Sequence, residues 1–462
     1  MPDGCTPWPE IFTDRYWAAG HWRGVTLDNL LRDWALEHGP RTALVHGDTR
    51  LTYAALNRRV DRTAAGFRLR GLRPGGRVVV QLPNVPEFVV TVFALLRAGA
   101  VPVLCPVAHR TAEVAATVRA CEAVGYVGPA TRDGFDHRAM AEEIAARSPF
   151  LRRVFTYEPP GTSSPYGGMA SDAAGCHYFP LGSVDAPPER ARAGRADHVA
   201  FLLPSGGAAG ASVLVPRTHD DYAYQARAAA ELVALTADDV YLAALPAGSP
   251  LALGCPGIVG TLGAGGTVVL VEDAGPAACL AAVERERVTL TSVTPDAAGR
   301  WLDALGASGA DLSSLRLVQL GGAPLDRAER AQAERTGREL GCRLQQVVGT
   351  AAGPLVLTRT DDPDETVLGT QGRPLSPDDE IRVVDADGRD VPDGESGELL
   401  ARGPYIPRGF YRAPDADARS FTADGHLRTG TLVRRTPAGD LVVTGRLGGA
   451  RRDARSTRDR GA

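Results

Sequence analysis

A glycine-rich run, Ser205-Gly206-Gly207-Ala208-Ala209-Gly210-Ala211-Ser212, follows an apolar stretch that ends at Leu203. Glycines after a strand can turn successive backbone N–H groups toward an anion, because a residue without Cβ reaches positive φ freely. Such turns are also ordinary structural punctuation, so the run is one half of an argument. Two further side chains invite chemistry: His219 in Pro216-Arg217-Thr218-His219, and Cys255 in Gly254-Cys255-Pro256. A thiol with an imidazole base makes a nucleophile, but a lone histidine beside a helix start serves equally as a cap or a packed polar group. Nothing in their spacing brings the two together.

Other chemistries are closed. The 462-residue chain contains no lysine, so all 51 of its cations are arginine. A Schiff base, a pyridoxal-phosphate anchor and a Walker-type phosphate loop each need an amine, which the planar, permanently charged guanidinium cannot replace. With 55 acidic residues the net charge is -4, too balanced for the field that non-specific nucleic-acid binding requires, so no nucleic-acid partner is expected. Cys5, Cys105, Cys121, Cys176, Cys255, Cys279 and Cys342 are odd in number and lack any C-x-x-C pair. They predict reduced thiols in a cytoplasmic protein and no metal site. The N-terminus lacks the basic segment and apolar core of a secretion signal. The uncharged run Val240 to Val271 is broken by Pro246, Pro250, Pro256 and several glycines, which predicts buried strands and helices and no membrane partner.

The elements that must hold these residues alternate. At roughly 100–200 residues per domain the chain holds a few compact units. From Leu51, a strand and amphipathic helix lead into the strand RVVVQL, a turn at Pro83, Asn84 and Pro86, the helix EFVVTVFALLRAGA and the strand VPVLCPV. Helices between apolar strands predict an α/β fold with parallel sheets covered on both faces. Glu158 to Gly175 reads as a surface loop. A second alternating unit runs from about Val199, with the glycine run expected between a strand and a helix. Beyond Gly372 short strands with Asp-Gly turns predict a small β-rich unit. The expected boundaries are 1–190, 191–371 and 372–446, with an Arg-rich disordered tail at 447–462.

The glycine run is followed, in one order, by V-P-R-T-H, A-L-P-A, G-A-G-G-T-V-V-L, Q-L-G-G-A-P-L, Q-Q-V-V-G, G-x-Q-G-R-P, G-E-S-G-E-L-L-A-R-G-P-Y and G-F-Y-R-A-P. That order resembles the adenylate-forming superfamily, most closely the stand-alone aryl-acid AMP ligases that activate 2,3-dihydroxybenzoate or salicylate for siderophore assembly. The arm WPEIFTDRYWAAGHW and the motif PRTHDDY strengthen the match, which spans residues 5 to 446. The resemblance implies two αβαβα-type subdomains and a distorted β-barrel. It also implies joining of ATP's α-phosphate to a carboxylate, then transfer of the acyl group to a carrier thiol.

Several residues that the family uses for those steps differ here. The phosphate loop's Thr-Thr-Gly-Thr-x-Lys stands as Ala208, Ala209, Gly210, Ala211, Ser212 and Val213, although the backbone donors of Ser205, Gly206 and Gly207 survive. The aromatic-Gly-x-x-Glu motif, whose aromatic stacks on adenine and whose carboxylate serves Mg²⁺, stands as Val348-Gly349-Thr350-Ala351-Ala352. The ribose-binding Asp is Thr431, and Arg446 alone of the nucleotide-facing charges is retained. Gly448-Gly449 stand at the hinge, and the C-terminal lid domain is expected to be absent. No cofactor is therefore expected, with ATP and Mg²⁺ binding weak or lost. The resemblance places the aryl pocket at Ser249, Pro250, Leu251, Cys255, Gly321, Gly322, Gly349 and Leu355. Ser249-Pro250-Leu251 replace the family's His-Asn-Tyr, while Cys255 and Leu355 match salicylate-preferring members.

Three functions stay open. The chain is a pseudoenzyme that binds an aryl or acyl ligand or an aryl carrier protein; or it performs ATP-independent chemistry in the inherited cleft; or it is a ligase completed by another polypeptide. Losing one electrostatic group typically costs about 10²–10³ in rate, and the losses here fall on separate parts of one transition state.

Overall fold

A computed structural model of the chain describes residues 4–161, 170–173, 175–189, 194–206, 212–322, 325 and 327–447. Residues 162–169 and 174 of the expected 158–175 loop, and the tail beyond 447, lie outside these residues, while Ser171–Ala173 within that loop forms a strand. Two large sheets form where β-branched runs alternate with helices. The first has eight strands in the order Ser212–Thr218, Val199–Gly206, Val101–Leu104, Arg77–Val80, Gly125–Pro129, Arg153–Tyr157, Cys176–Pro180 and Ser171–Ala173. The second has nine, in the order Arg373–Pro374, Val356–Leu357, Arg343–Val348, Leu317–Gly321, Leu290–Val293, Val240–Ala243, Thr267–Leu270, Thr42–His46 and Thr49–Thr52. Four antiparallel strands, Glu380–Val384, Gly397–Arg402, Leu427–Arg435 and Leu441–Arg446, make the small β unit. The apolar run from Val240 resolves into strand Val240–Ala243, helices Pro250–Gly254 and Gly257–Gly263, and strand Thr267–Leu270. Among the described residues no helix is long and apolar enough to cross a membrane.

Sheet membership does not divide at residue 190. Thr42–His46 lies parallel to Thr267–Leu270 in the second sheet, whereas Val199–Gly206 pairs with Val101–Leu104 in the first. An apolar strand adds wherever a complementary edge is open, and chain order sets no such limit. The glycine run also differs from the expected strand–loop–helix. Ser205 pairs with Val213 and Gly206 with Ser212, so the run joins the two arms of a β-hairpin. Val213, Leu214 and Val215 carry enough β-branched and apolar character to continue as a strand. The helix is deferred to His219–Leu232. There the Thr218 hydroxyl accepts from the Asp221 N–H and the Asp221 carboxylate accepts from the Thr218 N–H, a complete capping box.

The large sheets are locked together by side chains at their loops. Asn84, just past the strand Arg77–Val80, donates through Nδ2 to the carbonyls of Ala243 (2.8 Å) and Leu245 (2.9 Å) and accepts from the Ala247 N–H (2.7 Å). It thereby sets the chain that leads to Ser249. Within the second sheet Ser292 donates to Gln319 (2.7 Å), Gln319 to Gln345 (2.8 Å) and Gln345 to the Thr358 carbonyl (2.7 Å), a buried ladder across neighbouring strands. Gln371 joins the small β unit to this sheet: its Nε2 donates to Gln346, and its Oε1 accepts from the Val443 N–H. The N-terminal arm straps across the same junction, with the Trp22 indole N–H on the Pro404 carbonyl (2.9 Å).

Replacing Asn84 by Ala strands two buried carbonyls and one N–H, each worth about 1–3 kcal/mol when unsatisfied. Asn84→Ala is expected to lower unfolding free energy by about 2–4 kcal/mol in urea denaturation. A loss under about 1 kcal/mol would show that Asn84 does not hold the 243–247 loop.

Candidate functional site

In open parallel sheets ligands bind outside the carboxyl ends of the strands. The strands Val240–Ala243, Leu290–Val293, Leu317–Gly321 and Arg343–Val348 are consecutive neighbours. Their exits, the 244–251 segment, Gly321-Gly322 and Gly349–Leu355, therefore share one edge. Of the residues expected to line a pocket, Leu251 meets Gly321 and Leu355 meets Gly349 there. The Ser249 hydroxyl caps the short helix Pro250–Gly254, with Pro250 at its first position. Leu251 then reaches over Gly321 so closely that a Cβ on that glycine would collide with its Cδ2, and Leu355 covers Gly349 in the same way. Gly322 holds φ +127°, a value that L side chains rarely adopt. Cys255 is 0% exposed, and burial pushes its thiol up to about 12. It is a packed neutral thiol, not a nucleophile in waiting.

Behind this edge lies a network that the sequence reading missed. Arg217 is 1% exposed, yet its Nε and Nη2 both reach Asp221 Oδ1 at 2.8 Å. Nη2 also donates to Gln225 Oε1 (2.8 Å), and Nη1 to the Ala351 carbonyl (3.3 Å). The guanidinium carbon stands 4.7 Å from the Tyr222 ring centroid. Gln225 continues the chain by donating to the Gly254 carbonyl (2.9 Å). Burial pushes the Asp221 carboxyl up, against the pull of Arg217 and of the Thr218 hydrogen bonds. The signal was present as Arg and Asp four apart in PRTHDDY, although Arg217 stands at the end of a strand and Asp221 in the first turn of the helix His219–Leu232, so the pair spans the strand–helix junction.

His219 is 8% exposed, and its Nδ1 accepts from the Leu27 N–H at 3.1 Å. That bond requires a neutral ring, and burial holds its pKa down to about 4. Among the described residues no hydrogen bond joins His219 to Cys255, and neither is set as a base.

The expected nucleotide residues fall into separate groups. Ser205 and Gly206 end one hairpin arm, while Gly207, Ala208, Ala209, Gly210 and Ala211 lie outside the described residues. Val348 closes its strand and pairs with Val356. Ala352 is buried, its N–H donating to the Thr350 hydroxyl (3.3 Å), and it offers no side-chain oxygen to a divalent cation. Thr431 and Arg446 are opposite each other across the antiparallel strands Leu427–Arg435 and Leu441–Arg446. Among the described residues no group of three or more His, Cys, Asp or Glu could hold a metal.

Two outcomes follow from this geometry. Removing one partner of a buried ion pair typically costs about 3–5 kcal/mol, whereas an apolar replacement of both is far milder. Arg217→Met is expected to cost about that much by denaturant titration, and Arg217→Met with Asp221→Leu less than Arg217→Met alone; strict additivity would refute the coupling. His219 has a lowered folded-state pKa, so its contribution is complete above its ordinary value of 6.5 and is lost as pH falls toward 4. The loss amounts to about 3 kcal/mol. His137, also held near 4 by burial, adds a change of the same sign. His219→Gln should flatten, without abolishing, the fall in stability between pH 6.5 and 4.

The AMP-binding enzyme family matches residues 31–411. The chain is 43% identical over 446 residues to the 2,3-dihydroxybenzoate-AMP ligase of Bacillus subtilis, covering 96% of this chain and 79% of that protein. It is 44% identical over 449 residues to the salicyl-AMP ligase / salicyl-S-ArCP synthetase of Mycobacterium tuberculosis, covering 96% of this chain and 77% of that protein. The apo structure of Mycobacterium smegmatis MbtA superposes with a TM-score of 0.86 at 44% identity, covering 96% of this chain and 80% of that one. The parallel sheets and these matches agree: the chain belongs to the AMP-binding enzyme family, among relatives that are aryl-acid AMP ligases.

Proposed function

We propose that this protein is an aryl-acid AMP-ligase homologue of siderophore-type natural-product assembly that keeps recognition of an aryl or acyl ligand, or of an aryl carrier protein, and has lost ATP-dependent adenylation. The observation that carries the reading is the pair Ala352 and Thr431, which stand where the family places its magnesium-binding and ribose-binding carboxylates. A methyl and a hydroxyl cannot supply the charge that holds Mg²⁺·ATP in reactive register. Val213 in place of the phosphate-loop lysine, and Val348 in place of the adenine-stacking aromatic, weaken the same ligand further. The aryl side is supported by relatives whose substrates are dihydroxybenzoate and salicylate, and by Cys255 and Leu355. Mg²⁺ therefore has no place in the proposed activity, and ATP binds weakly or not at all.

Thermal shift and ATP–pyrophosphate exchange separate the outcomes. Salicylate or 2,3-dihydroxybenzoate at a hundredfold excess over its Kd should stabilise the protein by about 2.7 kcal/mol. Mg²⁺·ATP should leave the midpoint unchanged, with aryl-acid-dependent exchange at background. Exchange above background by the purified chain alone would overturn the loss of adenylation; stabilisation by neither aryl acid would leave only the carrier-protein role, read by titration with an aryl carrier protein.

A further inference from the structure

A hydroxyl–carboxyl pair stands directly behind the Gly349–Leu355 loop: Tyr405, which closes the motif G-E-S-G-E-L-L-A-R-G-P-Y, and Asp379, neither of which has been given a role above. Tyr405 is fully buried, and its hydroxyl donates to Asp379 Oδ2 at 2.7 Å while accepting from the Leu355 N–H at 3.1 Å. The Tyr405 ring also packs against Gly353. Asp379 Oδ2 accepts in addition from the Ser376 N–H (3.1 Å), and its Oδ1 is buried without a partner against Gly403. Tyr405 thus reaches into the Gly349–Leu355 loop of the nine-stranded sheet, beside Ile406, which packs on Gly353, and the Leu375 N–H, which donates to the Leu355 carbonyl (2.9 Å). We propose that Tyr405 and Asp379 are a positioning pair that holds the Leu355 backbone, and with it the aryl-pocket wall formed by Leu355 over Gly349.

The two hydrogen bonds act in series. A phenol that gives its proton to a carboxylate becomes a better acceptor, so the Leu355 N–H bond is strongest when Asp379 is ionised. Burial holds the Asp379 carboxyl up at about 7, with Asp378 pushing in the same sense and Tyr405 opposing. The hold on Leu355 therefore tightens as pH rises through neutrality. The groups around Asp379 are known on every side. Asp378 is engaged by Arg15 (2.5 Å) and His21 (2.6 Å) from the N-terminal arm. Tyr224, from the helix His219–Leu232, bonds the Ser376 hydroxyl (2.6 Å) beneath Arg227. His21 engages Asp378 and not Asp379.

Hydrogen exchange of the full chain between pH 6 and 8.5, corrected for the intrinsic rate, tests the pair without any ligand. Protection across 349–357 in the unaltered protein should rise several-fold from pH 6 to 8. Tyr405→Phe should lower it about tenfold at pH 8 with strands 77–80 and 240–243 unchanged, and Asp379→Asn should remove the pH step. Equal protection in Tyr405→Phe and the unaltered protein, or a step that persists in Asp379→Asn, would overturn the proposal. If Tyr405→Phe fails to fold, the pH profiles with and without Asp379 decide alone. A salicylate titration adds the functional arm, which rests on the proposed aryl-ligand reading: Kd should weaken about tenfold in Tyr405→Phe and weaken from pH 8 to 6 in the unaltered protein. Absence of salicylate binding at every pH would count against that reading, while the exchange profiles would still decide the positioning role.

Discussion

A guanidinium taken out of water costs several kcal/mol unless its donors are matched and its charge is paired. Arg217 meets that demand with Asp221, Gln225 and the Ala351 carbonyl, which come from one helix and from a loop of another sheet strand. The buried cation therefore fixes where those elements stand. Asp221 spends its second oxygen on the Thr218 N–H and hydroxyl, so the group that neutralises Arg217 also starts the helix. Gln225 passes the constraint on to Gly254 at the end of the pocket helix. The hairpin that bears the glycine run, the pocket helix and the 349–355 loop are held in one relation by a single desolvated charge.

That relation bears on the proposed loss of adenylation, which asks the fold to keep its shape without the family's nucleotide-binding side chains. Groups that hold a nucleotide are polar, stand at strand ends and are poorly satisfied until the nucleotide arrives. Replacing them with Ala352, Val348 and Val213 removes groups that would need partners, so the scaffold loses nothing in folding free energy. Arg217 and Asp221 are a different case, because removing either would leave the other buried and unpaired.

Much of the architecture was legible along the chain because its signals are local. The strands Arg77–Val80, Val101–Leu104, Val240–Ala243 and Thr267–Leu270 and the helix Pro86–Ala98 announce themselves by β-branched runs, helical period, Pro at the helix start and Gly at its end. The hairpin after Leu203 was misread because a glycine run after a strand fits both a strand–loop–helix and a hairpin, and only pairing with Val199–Gly206 chooses between them. The Arg217–Asp221 pair stands four residues apart across a strand–helix junction, yet its network also takes in Ala351 and Gly254, which are distant in sequence. Tyr405 closes a motif visible in the sequence, but nothing local to it or to Asp379 signals that the two meet.

What the sequence determined by itself was the family and the order of its elements; motif order needs no coordinates. Tertiary structure decided which sheet each strand joined, which glycines faced Leu251 and Leu355, and that His219 and Cys255 are packed groups. Those outcomes depend on edges, desolvation and hydrogen-bond demand, which exist only once segments far apart in the chain share the same interior.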